Sequence, residues 1–414
     1  MSTTSSTTTL SYRALLGVPG LRRLVGSALL SRTATQMASL VLVLFVLDRF
    51  HSPQLSGITV TAAVLPGLVL SPLAGAVLDR WARIPLIVLD YAIAGIALLL
   101  IALLAEWGVL APWSLVLIAA AQSVTAPLSN SGTRSLFPTI VPRRLWDRAN
   151  AVDSGGYVVA TVVGPGLGGL VVALLGTTWA LAVPAALSFG AGAMLLGMDV
   201  PPNPEAAPSS ESILRDAWEG LRYVVRKREL RALAVTVSVL NVAGGAVTVG
   251  LPVLVLSRLH GSSVQVGLLF AVMGGCGIVA GLVTGRFDSE GRERAMMAAG
   301  CAATALCMLL LLGAQSTALV ALAMALFGLG NGPLDIALFS LRQRVTDPAM
   351  FGRAFAVSMS LNFVGIPVGS AITGPIVAHS VAAAFAMATG FAVAATLIAL
   401  AMLPSQPRSA QRRT

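Results

Sequence analysis

Apolar runs of about 20 residues recur from one end of this 414-residue chain to the other, and that recurrence limits the possible folds more than any other feature. They lie near residues 24–47, 57–78, 84–105, 114–137, 153–175, 179–199, 231–257, 264–285, 295–313, 318–340, 354–378 and 381–403. Each is long enough to cross a hydrocarbon core of roughly 30 Å. With 56% of residues apolar and 11% charged, the chain has too little polar surface for a soluble protein of this size. The runs are continuous rather than alternating, which favours helices over a lipid-facing barrel. Gly and Pro inside them are tolerated where neighbouring helices resatisfy the backbone. The expected fold class is an all-α polytopic membrane protein with twelve transmembrane helices, spans 1 to 12.

The net charge of +10 invites a nucleic-acid reading, but its arrangement points elsewhere. Apart from Arg49 and Arg258, and Arg32 within span 1, every basic residue falls on the side of residue 1. That bias follows the positive-inside rule, so both termini are expected in the cytoplasm and the chain in the cytoplasmic (inner) membrane, with no nucleic-acid partner. Ser2 to Thr9 form a Ser/Thr tract with no apolar core or cleavage site, so no signal peptide is expected. Cys276, Cys301 and Cys307 sit in spans 8 and 9 and imply no disulfide framework.

A weak internal repeat runs at an offset near 206 residues. Arg49 and His51 after span 1 return as Arg258 and His260 after span 7; Pro127-Leu128 returns as Pro333-Leu334, and Pro142 as Pro348. Arg148-Ala149-x-Ala151-Val152 returns as Arg353-Ala354-x-Ala356-Val357. The matches keep one order and nearly one spacing, as a duplicated six-helix unit would. The expected organisation is a cytoplasmic tail over 1–23, a six-helix bundle over 24–199, a linker over 200–230, a second bundle over 231–403 and a basic tail over 404–414. The linker opens on Pro201-Pro202-Asn203-Pro204, too Pro-rich for regular structure. From Ser212 to Arg228 it spaces Ile213, Ala217, Leu221 and Val224 at helical intervals, with Arg215, Arg222, Arg226, Lys227 and Arg228 elsewhere. That suits an amphipathic helix on the inner membrane face, or a solvated connector.

After span 2 the chain reads Gly75-Ala-Val-Leu-Asp79-Arg80-Trp-Ala-Arg83, which resembles the G-x-L-x-D-R-x-x-R signature of the major facilitator superfamily. Gly75 permits close helix packing, Asp79 suits a helix N-terminus, and the arginines suit the cytoplasmic interface. The resemblance implies two pseudo-symmetric six-helix bundles, with Asp79 docking near Gly352-Arg353 to hold the inward side closed. The second-half copy, Gly281-x-x-x-Gly285-Arg286, lacks the acid, so such a latch is one-sided. Span 5 carries Ala160-x-x-x-Gly164-Pro165-x-x-Gly168-Gly169, similar to the signature of the superfamily's antiporter branch. Its small residues allow close approach and Pro165 removes a donor, a place for a bend between states or a plain packing seam. Gly164-x-Gly166-x-x-Gly169 also fits a dinucleotide fingerprint, but no strand precedes it and Pro165 offers no N–H to a phosphate. Leu136 through Pro142 to Arg148-Ala149-Asn150-Ala151, Glu219-Gly220-Leu221-Arg222-Tyr223 and Gly328-x-Gly330-Asn331-Gly332-Pro333 most resemble the exporter group of enterobactin and macrolide efflux permeases. The stretch Leu115 to Ala126 of span 4 carries no arginine, where proton-coupled drug antiporters of the family often have one.

Strong amides lie in spans 1, 4, 7, 10 and 11: Gln36, Gln122, Asn130, Asn241, Asn331 and Asn362. Amides in hydrocarbon are costly and should face protein or a watery cavity. The resemblance puts spans 1, 4, 7 and 10 around a central cavity, so these amides are candidate substrate contacts, with plain interhelical hydrogen bonding as the alternative. Asp335 in span 10 is the candidate proton carrier, or else a structural partner of Arg342, Arg344, Arg32 or Arg134. Asp90 and Asp153 lie nearer the inner interface, where salt bridges are expected.

The favoured reading is a secondary transporter exporting an amphiphilic drug, antibiotic or siderophore by alternating access, coupled to protons, as a monomer without a cofactor. A nutrient importer on the same fold would be expected to present more aromatic or basic cavity residues, and only Arg32 is a candidate. A membrane enzyme or an ATP-driven pump subunit finds little support. The single lysine, Lys227, follows no Gly-rich loop. His51, His260 and His379 lie apart at outer helix ends, without metal-site spacing.

Overall fold

The computed structural model describes residues 15, 17–142, 145–198, 213–347 and 350–404. Among them regular structure is helical. Span 1 is α1 (Leu21–Phe50); span 2 is split into α2 (Pro53–Ala62) and α3 (Leu65–Arg80). Spans 3 to 6 are α4 (Arg83–Glu106), α5 (Pro112–Ile140), α6 (Trp146–Trp179) and α7 (Ala182–Leu195). The linker contributes α8 (Ile213–Arg226). Spans 7 to 12 are α9 (Arg228–Val253), α10 (Ser263–Thr284), α11 (Glu293–Leu312), α12 (Thr317–Val345), α13 (Phe351–His379) and α14 (Val381–Met402). The expected linker residues 201–208 and the tail from 405 lie outside the described residues.

Ten of the described helical stretches are long and apolar enough to cross a membrane. The short helix α7 is explained by its start. Gly176 has φ 74° and ψ 166°, a left-handed break that ends span 5 at residue 175 and starts span 6 at once. At the end of the molecule opposite the termini, hydroxyls start the helices. Ser52, Ser262, Ser316 and Ser380 accept from the backbone N–H groups of Leu55, Gln265, Leu319 and Ala383.

Packing follows a twofold pattern. Pairs α1·α6, α1·α7, α4·α7, α3·α5 and α4·α5 recur as α9·α13, α9·α14, α11·α14, α10·α12 and α11·α12. The halves meet through α6·α10 and α2·α13, which are themselves pseudo-equivalent. The sequence repeat reappears in detail. His51 and His260 are the two non-glycine residues with positive φ among those described, at 48° and 50°. Arg49 Nη2 donates to the Ala105 carbonyl at 3.2 Å, and Arg258 Nη1 to the Leu312 carbonyl at 3.3 Å. Both cations cap the end of span 3 or span 9, where the carbonyls carry partial negative charge.

Candidate functional site: the space between the halves

Gly164 is why α6 lies against α1: a Cβ there would sit 2.6 Å from Gln36 Cβ and 3.1 Å from the Met37 nitrogen. Its counterpart is Gly365 on α13, where a Cβ would sit 2.7 Å from Asn241 Cβ and 3.0 Å from the Val242 nitrogen of α9. Gln36 and Asn241 thus occupy equivalent places, each beside the glycine that joins two helices of one half. The next turn of α6 faces the other half. A Cβ on Gly267 of α10 would lie 2.6 Å from the Pro165 carbonyl oxygen and 3.2 Å from Gly169 Cα. On the opposite seam the Thr61 hydroxyl donates across the halves to the Pro367 carbonyl at 2.8 Å. The motif Gly164, Pro165, Gly168 and Gly169 therefore sits where α6 touches both its own half and the other. Pro165 also leaves the Thr161 carbonyl without its helical donor.

Both seams lie in the part of the molecule away from the termini. Nearer the termini, α5, α6 and α12 expose polar side chains: Asn130, Arg134, Asn150, Tyr157, Asp335 and Gln343. Asp335 shares one face of α12 with Asn331, Phe339 and Arg342, at i−4, i+4 and i+7. Phe339 stacks on Phe355 of α13, and Arg342 reaches Met359 and Asn362. That face therefore points into the bundle, and Asp335 on it is exposed. It has no hydrogen-bond or ion-pair partner among the described residues.

The four arginines expected as alternative partners of Asp335 are engaged elsewhere. Arg32 Nη2 lies 2.6 Å from Asp153 Oδ1, Arg134 Nε lies 3.9 Å from Asp153 Oδ2, and Arg32 also sits over the Tyr157 ring. Arg344 bridges Glu293, and Asp288 at 3.6 Å. Arg342, 1% exposed, has no carboxylate partner among the described residues. Its guanidinium lies 5.6 and 5.3 Å from the Phe339 and Phe355 ring centres, and Nη2 donates to the Asn362 amide oxygen at 2.9 Å.

The candidate amides divide. Asn241 Nδ2 donates to the Asn362 backbone carbonyl at 2.8 Å, and Asn362, 3% exposed, is held by Arg342 and the Ser358 carbonyl. Gln36, Gln122, Asn130 and Asn331 have no side-chain hydrogen bond to protein among the described residues. Asp153 forms the salt bridge expected of it. Asp90 does not: buried to 3% exposure, it accepts from the Thr125 hydroxyl of α5 at 2.6 Å, so a hydroxyl on the neighbouring helix replaces the expected cation.

In the loop motif Arg83 Nη1 donates to the Ser135 carbonyl at 3.1 Å, tying the start of α4 to α5. The backbone of Gly75, Asp79 and Arg80 ends α3, while the side chains of Asp79 and Arg80 lie outside what the structure describes, and with them the expected docking of Asp79 near Gly352. Arg353 Nη1 donates to Glu219 Oε2 at 2.8 Å, a contact with α8 that the sequence reading did not anticipate. The Glu293–Arg344 pair was missed too. Its sequence signal is an acid at the first turn of an apolar run, with a cation late in the following run.

The family model described as Major Facilitator Superfamily matches residues 24–370 and 258–414. An uncharacterized MFS-type transporter of Sinorhizobium fredii is 38% identical over 398 residues, 95% of this chain and 98% of that one. The enterobactin exporter EntS of Citrobacter koseri is 27% identical over 370 residues, 86% of this chain and 85% of its own. The crystal structure of a mutant of the nucleoside transporter NupG superposes with a TM-score of 0.75 at 14% identity, covering 93% of this chain and all of that one. Its agreement is one of fold. With the paired six-helix packing and the family match across both halves, the chain belongs to the major facilitator superfamily of membrane transporters.

Proposed function

We propose that the protein is a secondary active exporter in the cytoplasmic membrane, with both termini inside. It moves an amphiphilic small molecule outward, as a monomer and in exchange for protons, by rocking the bundle over 24–199 against that over 231–403. The observation carrying this reading is Asp335: an exposed carboxylate on a bundle-facing helix surface, left unpaired while Arg32, Arg134, Arg342 and Arg344 are engaged elsewhere. A carboxylate in that position can take up and release a proton as the halves move. Gln36 on α1, Gln122 and Asn130 on α5 and Asn331 on α12 offer uncommitted amides, and few fixed charges demand a particular solute, which suits amphiphiles. The likeness to enterobactin exporters supports outward transport of such a cargo. Gly164, Pro165, Gly168 and Gly169, with Gly75, Asp79, Arg80 and Arg83, serve as the gating elements.

The test is accumulation of a panel of fluorescent amphiphiles in cells expressing wild type or Asp335→Asn, with transport also followed in everted vesicles with and without an uncoupler. Export predicts less accumulation with wild type than with empty vector, loss of that difference on uncoupling, and partial loss in the variant. Equal export by the variant would remove Asp335 from the proton path. Raised accumulation with wild type would instead identify an importer.

A further inference from the structure

The linker helix α8 touches α3 of the first half and α9 and α13 of the second, crossing the ends of the membrane helices nearest the termini. It is anchored through one face. Val224 is buried, and Gly220 lies so close to the Arg353 carbonyl that a Cβ would sit 2.9 Å from its oxygen. Beside this anchor is a cavity of about 430 Å³ lined by Glu219, Arg222, Tyr223, Arg226, Lys227 and Met350.

The charge balance of that cavity is unusual. Its one acid, Glu219, is already shared between Arg353 at 2.8 Å and Arg215 at 3.1 Å. Lys227 Nζ donates to the Tyr223 hydroxyl at 3.1 Å, and that hydroxyl also accepts the Asp347 backbone N–H at 3.0 Å. Arg222 and Arg226 have no hydrogen-bond or ion-pair partner among the described residues. The nearby carboxylates of Asp347 and Glu229 are outnumbered by Arg222, Arg226, Lys227 and Arg228. An open surface hollow with unpaired guanidinium groups favours an anion, and phosphate oxygens match the guanidinium fork.

The flanking side chains identify the source of that phosphate. Trp218 is 64% exposed and Val225 48% exposed, on the same helical face as Arg215, Arg222 and Arg226. Free phosphate in water would leave both apolar groups bare. An acyl chain beneath the headgroup would cover them, and Trp favours the membrane interface. We infer that α8 and the Met350 turn form a binding site for the headgroup of an anionic phospholipid. Arg222, Arg226 and Lys227 hold the phosphate, while Trp218 and Val225 lie against the upper acyl chain.

The test uses the full-length protein in detergent, titrated with phosphatidylglycerol brominated in its acyl chains. Trp218 quenching is isolated by difference from Trp218→Phe. Phosphatidylglycerol should quench at far lower mole fraction than brominated phosphatidylcholine, and 0.5 M NaCl should weaken it. Arg222→Gln with Arg226→Gln should weaken it about 30-fold, at about fivefold per charge. Equal quenching by the two lipids in wild type would overturn the inference, as would full affinity in the double variant. Complete displacement by millimolar inorganic phosphate would assign the site to free phosphate instead. Should the double variant not fold, the wild-type lipid preference and its salt dependence decide the matter on their own.

Discussion

Replacing Gly267 by Ala attacks the seam between the halves without touching any polar group of the cavity. The new Cβ would lie 2.6 Å from the Pro165 carbonyl oxygen, 3.2 Å from Gly169 Cα and 3.3 Å from the Gly166 carbonyl oxygen. All three are backbone atoms of α6, so no side chain can swing aside. Carbon–oxygen contacts of this kind settle at about 3.3–3.6 Å, so α10 and α6 must part by roughly 1 Å. Overpacking of this sort costs about 1–3 kcal/mol. If the seam exists only while the end away from the termini is closed, the cost falls on that state alone and moves the conformational equilibrium about 5- to 150-fold toward the other. Spin labels at Val109→Cys and Gln315→Cys, exposed loop positions at that end in opposite halves, report the change by pulsed electron resonance in a background lacking Cys276, Cys301 and Cys307. Gly267→Ala should add a longer-distance population absent from the parent. Gly275→Ala, on the same helix but with open space where its Cβ would go, should not. An unchanged distribution in a folded Gly267→Ala protein would refute the role of this seam in closing the path.

Two stability predictions follow from the charges. Arg32→Ala should lower unfolding stability by about 1–3 kcal/mol, less than the about 3–5 typical of breaking a buried pair, because Asp153 keeps Arg134 at 3.9 Å; Asp153→Asn in the same background should restore part of it, and an unaltered thermal transition in Arg32→Ala would contradict the reading. Arg342→Met should be neutral or stabilising, since it removes a buried cation that lacks a carboxylate, whereas Asn362→Leu should cost about 1–3 kcal/mol by stranding that cation; the reverse order of thermal transitions would show that Arg342 is paired in a way not seen in this state.

The helices were legible because lipid leaves one solution for a long apolar run, a helix with its backbone bonds satisfied internally. The duplication was legible where a residue performs a local task that position alone dictates, as with Arg49 and Arg258 at helix ends. It was not legible in α13. The glycine equivalent to Gly164 is Gly365, at an offset of 201, four residues short of the 205 that separates Arg148 from Arg353 at the start of the same two helices. A shortfall of about one helical turn keeps the glycine on the same face, so the packing survives while the fixed-offset comparison fails. Charge partners were the least legible part. Asp153 found the cation expected of an interfacial acid, but Asp90 took a hydroxyl one helix away, and Glu293 found Arg344 from a position that reads as a solvated helix start. Such choices depend on which side chains converge across helices, which the spacing within one helix does not encode.

What the two halves share and where they part assigns their roles. The repeated features are mechanical: the glycines beside Gln36 and Asn241, the seams α6·α10 and α2·α13, the serine caps and the arginines on helix ends. On the proposed reading they let one half swing on the other, and the only charges among them, on Arg49 and Arg258, are spent on helix-end carbonyls. The departures are electrostatic. Arg32 and Asp153 neutralise each other in the first half, and the residue one turn before Asn241 in the second half is Val237. In the second half, Asp335 stands unpaired where the repeat places Ser129, and Arg342 is buried two turns away without an acid. A symmetric hinge carrying asymmetric charge gives the swing something to act on: as the second half moves, the surroundings of Asp335 change while the neutral pair of the first half moves at little cost. On the proposed reading, the ion step belongs to α12 and the swing to the two seams between the halves.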